Sequence, residues 1–403
     1  MTRRDNNANP GLEEYQPIDA SEPRLRLDAA SCLPARDTRS GCSACVTACP
    51  ASVLTVTGAG PSLTGDCLGC GQCVPVCPTD ALQVEGFPAL PAPGQPAPSI
   101  TRVECWRVPD GETRPGTLRV PCLGGLDTGQ LLTLQRLAGG EHLALVDRGW
   151  CSDCPAHGDR PGHPAQAAIA HAHRLLDEGN ADTPHRPRLS REPLPQRMAC
   201  RTIPGRDMEA RVGRRHFFRR LGGHAAVSHA AATTTSDAPP EPRALVDKRV
   251  PRARRRLSGE LMLAVGSLPS SILPRLTVNA DCEGHGICTA VCPTGALVRE
   301  EENTASRLVL DATACIACGL CQSHCPEQAI RLASQGGGQA LTELQHMEQR
   351  ECLDCGRPFT ARNSNEEICH PCRKSRRFAA AGFAFLTQGN PAVSDQNHGG
   401  QSG

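Results

Sequence analysis

The residues in this chain most able to do chemistry are its cysteines. Cys67, Cys70, Cys73 and Cys77, with Pro78 directly after, follow the spacing C-x2-C-x2-C-x3-C-P. Three thiolates in that cadence can close around one corner of an iron–sulfur cubane, and the fourth, one helical turn on, serves a neighbouring cubane. The proline breaks the backbone so that the chain can turn off into a strand. The cadence recurs at Cys315, Cys318, Cys321 and Cys325, before Pro326. Altered forms precede both copies. Cys32, Cys42, Cys45 and Cys49, before Pro50, have a gap of nine where two is usual. Cys282, His285, Cys288 and Cys292, before Pro293, carry a histidine in the second slot. Thiolates hold iron because they are soft anionic donors. Zinc pairs seldom interlock as C-x2-C-x2-C, so the spacing favours iron–sulfur over zinc or buried thiols.

A common tail follows each Cys-Pro: Ala51-Ser-Val-Leu54, Thr79-Asp-Ala-Leu82, Thr294-Gly-Ala-Leu297 and Glu327-Gln-Ala-Ile330. This is an internal repeat, twice over. Each pair of motifs resembles the bacterial dicluster ferredoxin, a small α+β fold with pseudo-twofold symmetry, over about residues 25–84 and 274–333. The resemblance implies that ligands cross between motifs. Cys32, Cys42, Cys45 and Cys77 would then hold one [4Fe–4S] cluster, and Cys67, Cys70, Cys73 and Cys49 another. The long gap lengthens the loop over the first cluster; the alternative is a three-cysteine site with Cys32 free. In the second module Cys315, Cys318, Cys321 and Cys292 would hold an ordinary cubane, and Cys282, Cys288 and Cys325 a cluster whose fourth corner faces His285. Cys282-Glu-Gly-His-Gly-Ile-Cys288 resembles actinobacterial-type ferredoxins, in which histidine or another residue takes this slot. His285 is then a nitrogen ligand, a non-ligand beside a [3Fe–4S] cluster, or an inert surface residue. An imidazole in place of a thiolate removes one negative charge and raises the reduction potential.

Two further cysteine sets differ in kind. Cys105, Cys122, Cys151 and Cys154 are loosely spaced, C-x16-C-x28-C-x2-C. With Pro121-Cys122-Leu-Gly-Gly, a leucine-rich helix, a strand and Trp150-Cys151-Ser-Asp-Cys154, this stretch resembles the delta subunit of methyl-viologen-reducing hydrogenase. That family carries a two-iron cluster on four cysteines, so the set implies [2Fe–2S], with zinc or structural thiols as alternatives. Cys352, Cys355, Cys369 and Cys372, C-x2-C-x13-C-x2-C, are the two knuckles of a zinc ribbon holding one Zn2+. Cys200 has no partner, and Arg214-Arg215-His-Phe-Phe lies mid-chain before a stretch too polar for export.

The elements that must position these residues follow from pattern. Arg24–Leu27 alternates as a strand. The run Gln130–Leu137 has helical spacing with Gly139-Gly140 past its end, His142–Val146 is a buried strand, and Ala165–Glu178 a second helix. The fold class is α+β, with two bacterial-ferredoxin-like dicluster modules, a small α/β central domain, a long disordered basic linker and a zinc ribbon. The expected boundaries are a disordered 1–23, module one at 24–86, a proline-rich linker at 87–99 and the hydrogenase-delta-like domain at 100–180. A basic linker at 181–273, module two at 274–335, a helix and zinc ribbon at 339–378 and a disordered tail at 379–403 complete the chain. Residues 181–256 hold 18 Lys+Arg against 7 Asp+Glu, which argues against a packed core there.

Composition narrows the function classes. Aromatics are 2% of the 403 residues, a poor inventory for a large hydrocarbon core, while Cys numbers 24. Metals hold together small domains that lack apolar mass. The chain opens without an apolar leader and has no run long enough to span a membrane, which points to the cytoplasm. No Ser/His/Asp constellation, P-loop or G-x-G-x-x-G is present, so the chain reads as an electron carrier or electron-transfer subunit without its own catalytic site. Its expected partner is a redox enzyme or donor/acceptor protein of hydrogenase, formate dehydrogenase or disulfide reductase type. An accessory protein maturing a molybdenum or hydrogenase enzyme is the rival reading. A nucleic-acid regulator using the ribbon and Arg252-Ala-Arg-Arg-Arg256 is disfavoured by the scarcity of stacking aromatics.

Overall fold

The chain leaves each Cys-Pro pair through a residue in the left-handed region: Ser52 (φ 53°), Asp80 (57°), Gly295 (73°) and Gln328 (51°). Each is the third residue after its cysteine, and strands begin two residues later, at Leu54, Leu82, Leu297 and Ile330. The fourfold sequence repeat is thus a fourfold repeat of one turn. In the computed structural model, residues 25–181, 184–199, 248–302, 305–361 and 365–387 are described, with side chains to residue 380. The N-terminal segment, Cys200 and Arg214-Arg215 lie outside them.

The first module runs β1 (Leu25–Leu27), α1 (Leu33–Arg36), α2 (Ala44–Ala48), β2 (Leu54–Thr57), β3 (Gly60–Leu63) and β4 (Leu82–Val84). β1 and β4 pair antiparallel with Leu25 opposite Val84, and β2 and β3 form a hairpin. The core is Leu25, Leu54, Leu82 and Cys73, walled by further cysteines. So small an apolar core fits a module whose folding is coupled to metal. The nine-residue gap after Cys32 begins as α1, Leu33–Arg36, with Leu33 only 3% exposed, and only its last five residues are loop.

The central domain contains β5 (Arg102–Cys105), β6 (Leu118–Val120), α3 (Thr128–Leu137), β7 (Ala144–Asp147), α4 (Gln166–Glu178) and β8 (Arg188–Arg191). Its sheet is parallel throughout, in the order β6–β5–β7–β8. Val103, Val120, Leu143 and Leu145 are fully buried beneath Leu131 and Leu134 of α3 and Ile169 of α4. Asp127 caps α3: it accepts from Gln130 N, while the Gln130 side chain accepts from Asp127 N. The start of the proline-rich 87–99 is anchored in this core by Phe87 and Leu90, while residues 92–99 are exposed.

The expected basic linker over 181–273 needs two corrections. β8 is the fourth strand of the sheet; only Leu189 packs on the core, and the flanking arginines hid it. Residues Arg252–Val265 form α5, a helix packed on α3 and α4. Its Leu261 is fully buried, and Arg254 donates to the carbonyls of Ile272, Ala312 and Thr313. The basic run thus ties α5 to the second module.

The second module repeats the first: β9 (Pro274–Val278), α6 (Ile287–Val291), β10 (Leu297–Glu301), β11 (Ala305–Asp311), α7 (Leu320–Ser323) and β12 (Ile330–Gly336). β9 and β12 pair with Leu276 opposite Leu332. Beyond it, the helix expected near 339–350 is instead a strand, β13 (Leu341–Glu351). Glu, Gln and Leu favour helix, but the free edge of β11 offers pairing from Asp311 back to Ala305, and tertiary context overrides propensity. β14 (Pro358–Ala361) completes the sheet β10–β11–β13–β14 and so fuses the segment that bears Cys352 and Cys355 to the module. The tail expected disordered from 379 continues as α8 (His370–Thr387), through an alanine-rich run.

Candidate metal centres

Every thiol of the first module lies in one of two groups, and the groups cross between motifs. Cys49, Cys67, Cys70 and Cys73 line one cavity, walled by Leu25, Leu54 and Val84. Cys32, Cys42, Cys45 and Cys77 are neighbours in the other: burial and then the charges of Cys77, Cys42 and Cys32 push Cys45 up to about 11. The buried Cys32 faces Cys77 and Cys42 in the same way. Burial and neighbouring sulfurs also push Cys70 up to about 11 and Cys73 up to about 12. Such thiols are protonated and inert as nucleophiles, and they lose their protons on ligating a metal. Local structure sets the geometry. Cys45 sits on α2 with Cys49 directly after it, and Gly69 N donates to Cys67 Sγ at 3.3 Å. Gly71 (φ 74°) has no room for a side chain, since a Cβ would meet the Phe87 ring at 2.4 Å.

In the second module Cys292, Cys315, Cys318 and Cys321 line one cavity, and Cys282, Cys288 and Cys325 line another with His285. His285 Nε2 is 2.7 Å from Glu327 Oε1. Sequence reasoning missed Glu327. Its signal lay in the repeated tail, two residues past the cysteine. Thr79 and Thr294 stand there in other copies, with hydroxyls 3.8 and 3.6 Å from Cys77 and Cys292 Sγ. Glu327 instead brings a carboxylate to 3.9 Å from Cys325 Sγ.

The ribbon is spaced differently. The sulfurs of Cys352, Cys355, Cys369 and Cys372 all lie within 4.8 Å of one another, with Cys355 and Cys369 3.8 Å apart. That is the edge of a tetrahedron with metal–sulfur bonds of about 2.3 Å. Burial opposes the Cys352 thiolate, but N–H groups of Cys369, Cys355 and Asp354 outweigh it and bring the thiol down to about 6. Glu283, next to Cys282, binds Arg373 of α8 at 2.8 Å and so ties the ribbon to the His285 loop.

Cys105, Cys122, Cys151 and Cys154 line one cavity in the central domain with Trp150 and His163. No three of these sulfurs close to the 4.8 Å limit that the ribbon meets. A single tetrahedral ion needs that closeness, whereas a cluster core holds its cysteines further apart. Burial raises Cys105 and Cys122 and pushes Cys151 up to about 12, where the Asp147 carboxylate adds to it.

The cavities adjoin in series. Burial is the main cause that raises Cys122, Cys73, Cys318 and Cys321, with lesser contributions from the charges of Cys70, Cys45, Cys42 and Cys288 in the adjoining groups. Gln72 bridges the first junction, with Nε2 3.8 Å from Cys122 Sγ and Oε1 accepting from Arg160 at 2.7 Å. Asp37, the residue that ends α1, lies 2.7 Å from His324 Nε2 at the junction of the two modules. The insertion after Cys32 therefore builds the contact between them.

A family model for the 4Fe-4S dicluster domain matches residues 40–82 and 281–330. No curated protein matches the chain. Two 4Fe–4S dicluster domains with convergent cysteines support an iron–sulfur electron-transfer protein. Among the described residues, no helix is long and apolar enough to cross a membrane.

Proposed function

We propose that the chain is an electron relay whose iron–sulfur sites stand in one file. The file begins with Cys105, Cys122, Cys151 and Cys154. It continues through Cys49/67/70/73, Cys32/42/45/77 and Cys292/315/318/321, and ends at Cys282/288/325 beside His285. The observation that carries this reading is the pair of contacts at the junctions: Gln72, from the Cys70–Cys73 loop, 3.8 Å from Cys122 Sγ, and Asp37, from the Cys32–Cys42 loop, 2.7 Å from His324 of the second module. When bound, the clusters supply one-electron carriers tuned by ligand charge, hydrogen bonds and exposure. The protein's part is to fix their order and exclude water.

The cofactors are four [4Fe–4S] clusters, with a three-iron form accessible beside His285, and a [2Fe–2S] cluster in the hydrogenase-delta-like domain. The wide sulfur spacing in that domain supports a cluster over zinc. Zn2+ in the ribbon is structural, holding α8 against the His285 loop. The order of the sites differs from chain order: those of the first module come between those of the central domain and the second module, although the latter two also share one core through α5. The two ends of the file are chemically unlike, which suits a donor at one and an acceptor at the other. The partner is a cytoplasmic redox enzyme of hydrogenase, formate dehydrogenase or disulfide reductase type.

Reductive titration of the metal-loaded protein tests the reading. About 18 iron atoms per chain, reversibly reduced and rapidly reoxidised by one such enzyme, are expected. Clusters that are not reversibly reduced, or that no such enzyme reoxidises, would favour the accessory reading instead.

A further inference from the structure

His163 lies in the loop before α4 and belongs to none of the cysteine motifs, yet it lines the cavity of the four central cysteines. A ring nitrogen of His163, a carboxylate oxygen of Asp147 and Cys151 Sγ all lie within 4.8 Å of one another. Histidine, aspartate and cysteine at that distance suggest a separate metal ion, but the hydrogen bonding argues otherwise. The backbone N–H of Ala165 donates to His163 Nδ1 at 3.2 Å. A nitrogen that accepts carries no proton, so in the neutral ring the proton is on Nε2. Nε2 therefore offers an N–H and no lone pair, so it is a donor and not a ligand. It is also buried with no hydrogen-bond partner among the described residues. A buried N–H without an acceptor is rare in folded proteins, and where it occurs a missing acceptor is the first explanation.

We propose that His163 Nε2–H is a hydrogen-bond donor to the cluster sulfide beside Cys151 at the central iron–sulfur site, and raises the reduction potential of that site. This rests on the cluster assignment for Cys105, Cys122, Cys151 and Cys154. One electron from the neighbouring Cys49/67/70/73 site adds negative charge to the cluster sulfurs. A donor aimed at them is worth more after that step than before it. The cavity already holds the opposing charge of Asp147 against Cys151, which works against the added electron. His163 offsets this at the central end of the file. It is a positioning residue: it binds no iron and acts through the sulfur.

The test separates this role from helix capping. In the metal-loaded protein, His163→Asn keeps an acceptor for Ala165 N–H but removes the distal donor, while His163→Gln places a side-chain N–H near the Nε2 position. The potential of the [2Fe–2S] signal is read by electron paramagnetic resonance during titration. The expected result is a roughly tenfold fall in the reduced-to-oxidised ratio for His163→Asn at a fixed potential, about 59 mV for a one-electron couple, with much of it restored in His163→Gln. An unchanged potential in His163→Asn with the signal intact overturns the hydrogen bond alone. Absence of a two-iron signal from the wild type overturns the cluster assignment, and the inference with it. If His163→Asn fails to load, the wild type decides. Nitrogen-15 labelling of histidine should show a weak coupling and an exchangeable proton. A strong coupling from directly bound nitrogen, or none, overturns the proposal.

Discussion

Replacing Glu260 should loosen the central domain from the second module, and the structure sets the size of the effect. Glu260 is 2% exposed on the inner face of α5. Its Oε1 accepts from Thr133 Oγ1 and Arg136 Nη2, each at 3.0 Å, and its Oε2 from Arg136 Nε at 2.9 Å. Removing one partner of a buried pair costs about 3–5 kcal/mol, because the other charge is stranded. The Arg136 side chain is 27% exposed, so water rescues part of its charge and the cost for Glu260→Ala falls to about 2–4 kcal/mol. Glu260→Gln keeps one acceptor and should lose about 1–2 kcal/mol. Both tryptophans of the chain, Trp106 and Trp150, are buried in the central domain, so their fluorescence reports its unfolding in the metal-loaded protein. At roughly 2–4 °C per kcal/mol for a domain of this scale, the alanine variant should melt about 4–16 °C lower. A change under about 0.5 kcal/mol in both variants would refute the reasoning, since α5 would then not be held on α3 by this pair.

Three other outcomes are expected. The Glu192 carboxyl is held below the usual carboxylate range by hydrogen bonds from Arg102, so its stabilisation is full above the unfolded pKa and is lost as pH falls through the lower folded value; the stability gap between wild type and Glu192→Gln, read by tryptophan fluorescence, should be open at neutral pH and close below about pH 4. His285→Cys restores the full cysteine cadence, and should lower that cluster's potential and shrink the three-iron signal during oxidant titration; an equal signal in both proteins would contradict a weak corner at His285. Cys355→Ser should cost the bound zinc and release α8 from the Glu283 loop, visible as loss of one zinc per chain and faster proteolysis near residue 373, with iron content unchanged.

The turns around the cysteine motifs were easier to read from sequence than the scaffold that joins them. Cysteine spacing encodes local turns, and the four left-handed residues after the Cys-Pro pairs show how directly the repeat fixes backbone shape. α3, β7 and α4 were also legible, because their apolar periodicity is strong. What stayed hidden depends on distant partners. β8 offers one core residue, Leu189, between the exposed Arg188 and Arg191, and its strand state is set by pairing with β7. α5 is a helix because α3, α4 and the carbonyls of the second module receive it, and β13 is a strand because β11 had a free edge. Glu327 was visible only as a departure within the repeated tail. His163 carried no motif at all; only the fold brings it to Cys151.

Anomalous diffraction at the iron edge, on crystals of the metal-loaded protein, tests the single file of clusters most directly. The account predicts five iron peaks in one line. The peak held by Cys32/42/45/77 should lie next to that held by Cys292/315/318/321, with the two-iron peak at the central end and the His285 peak at the other. Iron missing from the central cysteines, or the two dicluster modules turned so that their nearest peaks are not those of Cys42 and Cys318, would contradict it.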